Sequence, residues 1–200
     1  MTTTRHLPFP APLGTLRASA TTEGIVGLWF TDGVTDGSSR ASDRVPPSAV
    51  APLPDRDLAA DPAALRHLDQ LEAELRAYVE GRLQTFTVPL RPSGTAFQRQ
   101  VWEALATIPY GCSCSYAALT EQLGYPIAAA RALGQANGQN PIAILIPCHR
   151  VVQRGGGLGG YGGGLERKAW LLAHERRHAP PDDQPADPAE TWSGQLRLGM

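Results

Sequence analysis

At 200 residues and 21.3 kDa, with 42% hydrophobic residues, the chain can build one large domain or two small ones. No stretch approaches the roughly 18 apolar residues of a membrane span, Met1–Gly14 carries prolines where a secretory leader needs an apolar run, and three cysteines are too few for a disulfide scaffold, so a cytoplasmic protein is expected. The net charge of −1 is unevenly spread: residues 94–178 carry 8 basic and 4 acidic side chains, whereas residues 179–200 carry 1 and 4, an arrangement that fits either nucleic-acid contact or chance scatter.

Thr15–Ala20 and Gly24–Phe30 read as short strands, closed by the turn signal Asp32-Gly33. Residues 36–57, rich in Ser, Asp and Pro, read as a loop. Asp61 can cap a helix with Pro62 at its first position, and Leu65, Leu68, Leu71, Leu75 and Tyr78 form one apolar stripe that ends at Gly81. Residues 88–94 read as a linker, which divides the chain into an N-terminal domain (1–92), a second domain (93–178) and an acidic, Pro-rich tail (179–200) that reads as disordered.

The second half opens on a capping box, Thr95-Ala-Phe-Gln98, with Phe97, Val101, Leu105 and Ile108 on one face. Pro109-Tyr-Gly111 stops that helix. Ser115 can cap a short helix from Tyr116 to Leu123, and another runs from about Ile127 to Asn137; the pair reads as a helix-turn-helix or as an ordinary helical hairpin. Pro141 and Pro147 bracket Ile-Ala-Ile-Leu-Ile, read as a buried extended run. Eight glycines then fall within residues 155–164, and Leu165, Ala169 and Leu172 mark a last helix ending near His178.

Pro147-Cys-His-Arg150 is the feature that points to chemistry. An apolar run delivers a cysteine directly before a histidine and an arginine, and a thiolate so placed is a nucleophile with a lowered pKa. The polar residues at 149 and 150 place the thiol at a rim open to reagents; a structural cysteine is the alternative reading. Cys112 and Cys114 have no companion pair at metal-ligand spacing, and no metal site is expected. The glycine loop lacks the phosphate-loop ending and reads either as a surface loop or as a place where backbone approaches a ligand, with Tyr161 its one aromatic.

Ile144-Leu-Ile-Pro-Cys-His-Arg-Val-Val152 resembles the active-site signature of the O6-alkylguanine-DNA alkyltransferases. The resemblance extends over residues 94–178 through Phe97–Trp102, Ile108–Gly111, Ser115-Tyr116, Arg131–Gly134, Asn137–Pro141, Gly160–Gly164 and Trp170–Glu175, and only in general layout over residues 1–92. It implies an α/β (α+β) protein: a small ribonuclease-H-like sheet-and-helix domain followed by a mostly helical, winged-helix-like DNA-binding domain. It implies a monomer that binds double-stranded DNA containing O6-alkylguanine through the minor groove, uses no cofactor, and rotates the damaged base out of the stack.

By that resemblance Cys148 accepts the alkyl group, His149 takes the thiol proton through a water, Glu175 orients His149, and Asn140 pins the turn beside the thiol. Tyr116 helps flip the nucleotide and offers its hydroxyl to the base. Tyr161 walls the alkyl pocket, Gly162 and Gly163 supply space and backbone donors, and the carbonyls of Cys148 and Val151 accept from the guanine amine. Arg131 fills the vacated stack, and Gln98, Ala130, Gly134 and Arg154 fall at DNA-contact positions.

The chain departs from the family pattern by one extra residue between Pro126 and Arg131, which puts the start of the recognition helix in question. It also lacks the four-cysteine zinc module of the family's methyl-sensing regulators, so repair without transcriptional sensing is expected. The implied reaction is single-turnover repair of O6-alkylguanine and O4-alkylthymine. Two rivals stand beside it: a non-catalytic protein that recognises alkylated bases, and a cysteine hydrolase using Cys148 and His149, which would turn over and would not need Arg131 in a helix-turn-helix.

Overall fold

The computed structural model describes residues 1–31 and 61–180. The Asp32-Gly33 turn, the 36–57 loop and the acidic tail beyond Pro180 lie outside the described residues. Strands β1 (Thr3–Pro8), β2 (Thr15–Thr21) and β3 (Gly24–Phe30) form an antiparallel sheet in that order, with a register irregularity at Ser19/Ala20. Strands β2 and β3 lie where the sequence predicts strands, whereas β1 carries no strand signal of its own. Its Thr-Thr-Arg-His opening has no apolar alternation, and only pairing with β2 makes it a strand.

The outer edge of β3 is closed by two later segments. Ile25 N–H donates to Pro89 O (2.8 Å) and Arg91 N–H to Ile25 O (2.7 Å); Leu28 N–H donates to Pro141 O (2.9 Å) and Ala143 N–H to Leu28 O (3.0 Å). Gly24 (φ 146°) is required there, because a Cβ would stand 2.4 Å from Pro89 O.

Helix α1 (Pro62–Val79) lies across the sheet. Asp61 Oδ1 accepts from Ala63 N–H at 2.8 Å and Pro62 opens the first turn, as the sequence indicates. The buried stripe is Ala64, Leu68, Leu71, Leu75 and Tyr78; Leu65 sits on its flank, because the 4-3-4-3 spacing selects Ala64.

Helix α2 (Ala96–Ala106) starts on the Thr95/Gln98 capping box, with Val101, Leu105 and then Ile108 buried and Phe97 half-buried. Strand β4 (Cys114–Ser115) leads into α3 (Tyr116–Gln122), whose first turn is capped by Ser115 Oγ, which accepts from Ala118 N–H at 3.1 Å. A 3-10 turn, Ile127–Ala129, fills the stretch between Pro126 and Arg131, and α4 (Ala130–Gly138) starts one residue before Arg131. Helix α4 packs on α2 and α3, and Trp102 Nε1 donates to Ala136 O at 2.9 Å.

Residues 142–146 are buried, except for half-buried Ala143, but not extended, which corrects the expectation from sequence. Only Ile142 and Ala143 run beside β3; the chain then reverses, with Ile144 at φ 70° and Ile146 N–H bonded to Ile142 O at 3.1 Å. Asn140 forces this reversal by bonding both ends of the segment. A 3-10 turn, Cys148–Arg150, and strand β5 (Val151–Val152), parallel to β4, follow. Helix α5 (Leu165–His178) ends the described chain. The chain is a mixed α/β protein, and one hydrophobic cluster runs from the β1–β3 sheet and α1 through α2 to Leu171 of α5.

Candidate active site

The reversal at residues 140–148 places the thiol. Asn140 Oδ1 accepts from Ile142 N–H (3.0 Å), while its Nδ2 reaches Ile146 O (2.8 Å) and Cys148 Sγ (3.1 Å). One side chain therefore fixes the turn and touches the sulfur. Cys148 is 7% exposed, His149 0% and Arg150 8%. The rim anticipated from the polar residues at 149 and 150 is corrected: both face inward, because a buried carboxylate receives them.

That carboxylate is Glu175 of α5. Its Oε1 accepts from His149 Nε2 (2.9 Å), Arg150 Nη2 (3.0 Å) and Tyr78 OH (2.8 Å); its Oε2 accepts from Arg150 Nε (2.8 Å) and Gly111 N–H (3.3 Å). Burial alone would raise the Glu175 pKa, but the His149 and Arg150 charges and hydrogen bonds outweigh it and hold the carboxyl well below the usual range. A carboxylate only accepts, so His149 carries its proton on Nε2 and Nδ1 keeps a lone pair. Nδ1 is buried and has no hydrogen-bond partner among the described residues. Burial depresses the pKa of His149 against the opposing pull of Glu175, so the ring is a neutral base. Burial also pushes the Cys148 thiol up, against the Asn140 hydrogen bond and the Lys168 charge that pull it down. Burial thus favours a protonated thiol and a neutral imidazole, a pair in which a base can take the thiol's proton.

Tyr116, at the start of α3, lies between Gly134 of α4 and Gly159: a Cβ at Gly159 would come 3.2 Å from the Tyr116 ring, and one at Gly134 3.6 Å. Burial and the proximity of Cys148 raise the Tyr116 pKa, so its hydroxyl keeps a proton to give. Tyr161 is buried, its ring edge-on to Phe30 (6.1 Å) and His149 (6.5 Å). Gly163 makes room for Phe30, whose ring would lie 2.5 Å from a Cβ there, and its carbonyl accepts from Arg167 Nη1 (3.0 Å). Among the described residues, apart from its two chain neighbours, no atom lies within 4 Å of a Cβ built at Gly162.

Ala130, Arg131, Gly134 and Arg154 lie on the α4 side and the loop after β5, with Arg131 and Arg154 exposed. A groove between α3 and that loop is bordered by Ser115, Ala118, Glu121, Ile127, Arg154 and Gly155, among others. Gln98 is engaged within the protein: its Oε1 accepts from Thr95 N–H (2.7 Å) and its Nε2 donates to Gln139 Oε1 (2.7 Å).

Four participants carry no signal of this role in the sequence: Tyr78, the Gly111 N–H, Arg150 as a partner of Glu175, and Lys168. Lys168 is fully buried, and its Nζ donates to Val151 O (2.7 Å) and Gly160 O (3.3 Å), so that the Val151 carbonyl already holds one hydrogen bond. Burial lowers its pKa to about 8. Lys168 is the chain's single lysine, and that rarity was its one visible signal. Among the described residues no group of three or more His, Cys, Asp or Glu side chains could hold a metal ion, and no helix is long and apolar enough to cross a membrane.

A buried thiol held by Asn140 and a histidine bonded to a buried carboxylate stand together beside the packed helices α2, α3 and α4, the makings of a cysteine-based site. Residues 96–177 match the family described as 6-O-methylguanine DNA methyltransferase, DNA binding domain. The fold is similar to that of Mycobacterium tuberculosis OGT crystallised in complex with DNA (TM-score 0.68, 38% identity, 90% of this chain and 96% of that one). It is equally similar to M. tuberculosis O6-methylguanine methyltransferase (TM-score 0.68, 38% identity, 90% and 97%). A methylated-DNA–protein-cysteine methyltransferase of Mycolicibacterium paratuberculosis is 58% identical over 107 residues, 54% of this chain and 64% of its own length. One of Shigella flexneri is 54% identical over 106 residues, 52% and 61%. The matched stretch thus spans somewhat under two thirds of these curated relatives. The chain belongs to the O6-methylguanine-DNA methyltransferase family.

Proposed function

We propose that the protein repairs DNA in the cytoplasm by moving the alkyl group of O6-alkylguanine, and of O4-alkylthymine, onto its own Cys148, once per molecule and irreversibly. The observation that carries this reading is the Asn140–Cys148 contact beside a histidine locked onto Glu175. His149 Nδ1, through a water, takes the thiol proton. Sγ attacks the alkyl carbon in line, the carbon–O6 bond breaks, and Tyr116 donates a proton to the departing guanine. The product is a thioether, which no group in the site can hydrolyse; contrast the acyl-enzyme of a hydrolase.

The protein acts as a monomer on duplex DNA, approached from the minor groove. Arg131 replaces the extruded base, Ala130 and Gly134 let α4 approach the backbone, and Arg154 meets phosphate, with Gln98 at the edge of the contact. Val151, Tyr161, Gly162 and Gly163 border the base and its alkyl group. Replacing Arg131 with alanine is expected to slow transfer from a duplex about tenfold to a hundredfold and to change transfer from the same lesion in a single strand much less, since only the duplex requires unstacking. Single-turnover rates on the two substrates check this; equal losses would mean that Arg131 does not fill the stack.

The deciding experiment is intact-mass analysis after incubation with duplex DNA holding one O6-methylguanine, with Cys148→Ala run alongside. A gain of one methylene mass in the wild type alone, mapped to the Cys148 peptide and saturating at one per protein, is expected. Retained lesion binding without a mass gain would leave a recognition protein instead.

A further inference from the structure

Tyr78 belongs to the N-terminal half, yet it is fixed to two consecutive residues of α5. Its hydroxyl donates to Glu175 Oε1 at 2.8 Å, and its carbonyl accepts from His174 Nε2 at 2.7 Å. The side chain is fully buried and its ring packs on Phe86 (5.4 Å), His174 (5.3 Å) and edge-on to Tyr110 (6.0 Å). Anchored by both backbone and ring, the hydroxyl has little freedom to leave Oε1. That oxygen is the one to which His149 Nε2 donates. Arg150 Nη2 donates to it as well (3.0 Å), and donors that share one carboxylate oxygen compete for the same electron density. Whatever Tyr78 draws from Oε1 is not available to stabilise a proton on His149.

We propose that Tyr78 is a positioning residue of the alkyl-transfer site, holding Glu175 Oε1 in register with His149 and limiting how strongly that carboxylate favours the imidazolium, so that His149 stays a neutral base. The proposal rests on the alkyl-transfer reading above. It also gives the N-terminal helix a direct part in the chemistry, through one hydroxyl 97 residues from its partner. The groups that bear on His149 come from several sides: Glu175 and Lys168 from α5, Cys148 and Arg150 from its own turn, Tyr161 from the glycine loop and, through Glu175, Tyr78 from α1; Tyr110, from the segment after α2, packs on Tyr78 and Arg150 instead. Of these, Tyr78 donates to the oxygen shared with His149 and carries no charge, so it can be altered without adding or removing a unit charge.

Tyr78→Phe keeps the ring and the carbonyl bond and deletes only the hydroxyl. With that donor gone, Oε1 attracts the His149 proton more strongly, and His149 protonates at higher pH. Two measurements on the full chain test this: the pH profile of single-turnover methyl transfer, and the titration of His149 followed by NMR on histidine-labelled protein. In Tyr78→Phe the acid limb of the profile and the His149 midpoint are both expected to move up by about half a pH unit or more. In Tyr110→Phe, which deletes a hydroxyl with no partner among the described residues, neither is expected to move. A purely structural role for Tyr78 would lower the rate by the same factor at every pH and leave the midpoint in place, which overturns the proposal. Should the wild type transfer no methyl group, the functional reading fails, and an unshifted His149 midpoint then overturns the coupling on its own.

Discussion

Replacing Glu175 with alanine is expected to lower the unfolding free energy by about 3–5 kcal/mol, the usual cost of removing one partner from a buried ion pair. The loss comes less from the missing attraction than from what is stranded. Arg150, 8% exposed, would keep a charge that no other described carboxylate reaches, and the Gly111 N–H and the Tyr78 hydroxyl would lose their acceptor. Urea unfolding at pH 7 measures it; a loss under about 1 kcal/mol would mean that the site relaxes around the gap. The pH dependence has a definite sign. The folded carboxyl titrates below its ordinary value of 4.5, so its contribution is complete above that value and is lost as the pH falls below it. The stability curves of wild type and variant should therefore converge in acid.

His149→Gln is expected to slow methyl transfer at pH 7 by about a hundredfold to ten-thousandfold, the range a general base supplies, while lesion binding holds. Burial raises the Cys148 thiol above its ordinary value of 9.0, so without a base little thiolate forms at neutrality. The deficit should shrink as the pH rises toward the thiol's own titration, because hydroxide then does the work of the imidazole. Single-turnover rates between neutral and alkaline pH check both statements. A deficit under tenfold that stays constant with pH would remove His149 from the base role.

The sequence was informative where a signal is local. The Asp61, Thr95 and Ser115 caps lie within three residues of the groups they satisfy, and each forms. The Cys148-His149 pair is likewise adjacent in the chain. What escaped reading depends on distant partners. β1 exists because β2 pairs with it, and residues 142–146 fold back because Asn140 bonds both ends. Tyr78 read as one more apolar residue in a stripe, which it also is; only the fold brings its hydroxyl to Glu175. Arg150 and Lys168 carry the residue types that mark a solvated surface, and periodicity alone could not place them inside. Ala64 displaced Leu65 because a one-residue phase shift is invisible in a run that is Pro-Ala-Ala-Leu.

The closure of β3 has a further consequence. An open strand edge is where one chain recruits another into aggregates. Here that edge is occupied at Ile25 and Leu28 by segments that each begin with a proline, Pro89 and Pro141. The second segment follows directly on Asn140, the residue that holds the thiol. Colloidal protection and nucleophile placement are thus entrusted to the same few residues: loosening 140–143 would disarm the cysteine and uncover a sticky edge in a single event. Molecules that lose their chemistry by this route should be lost from solution as well.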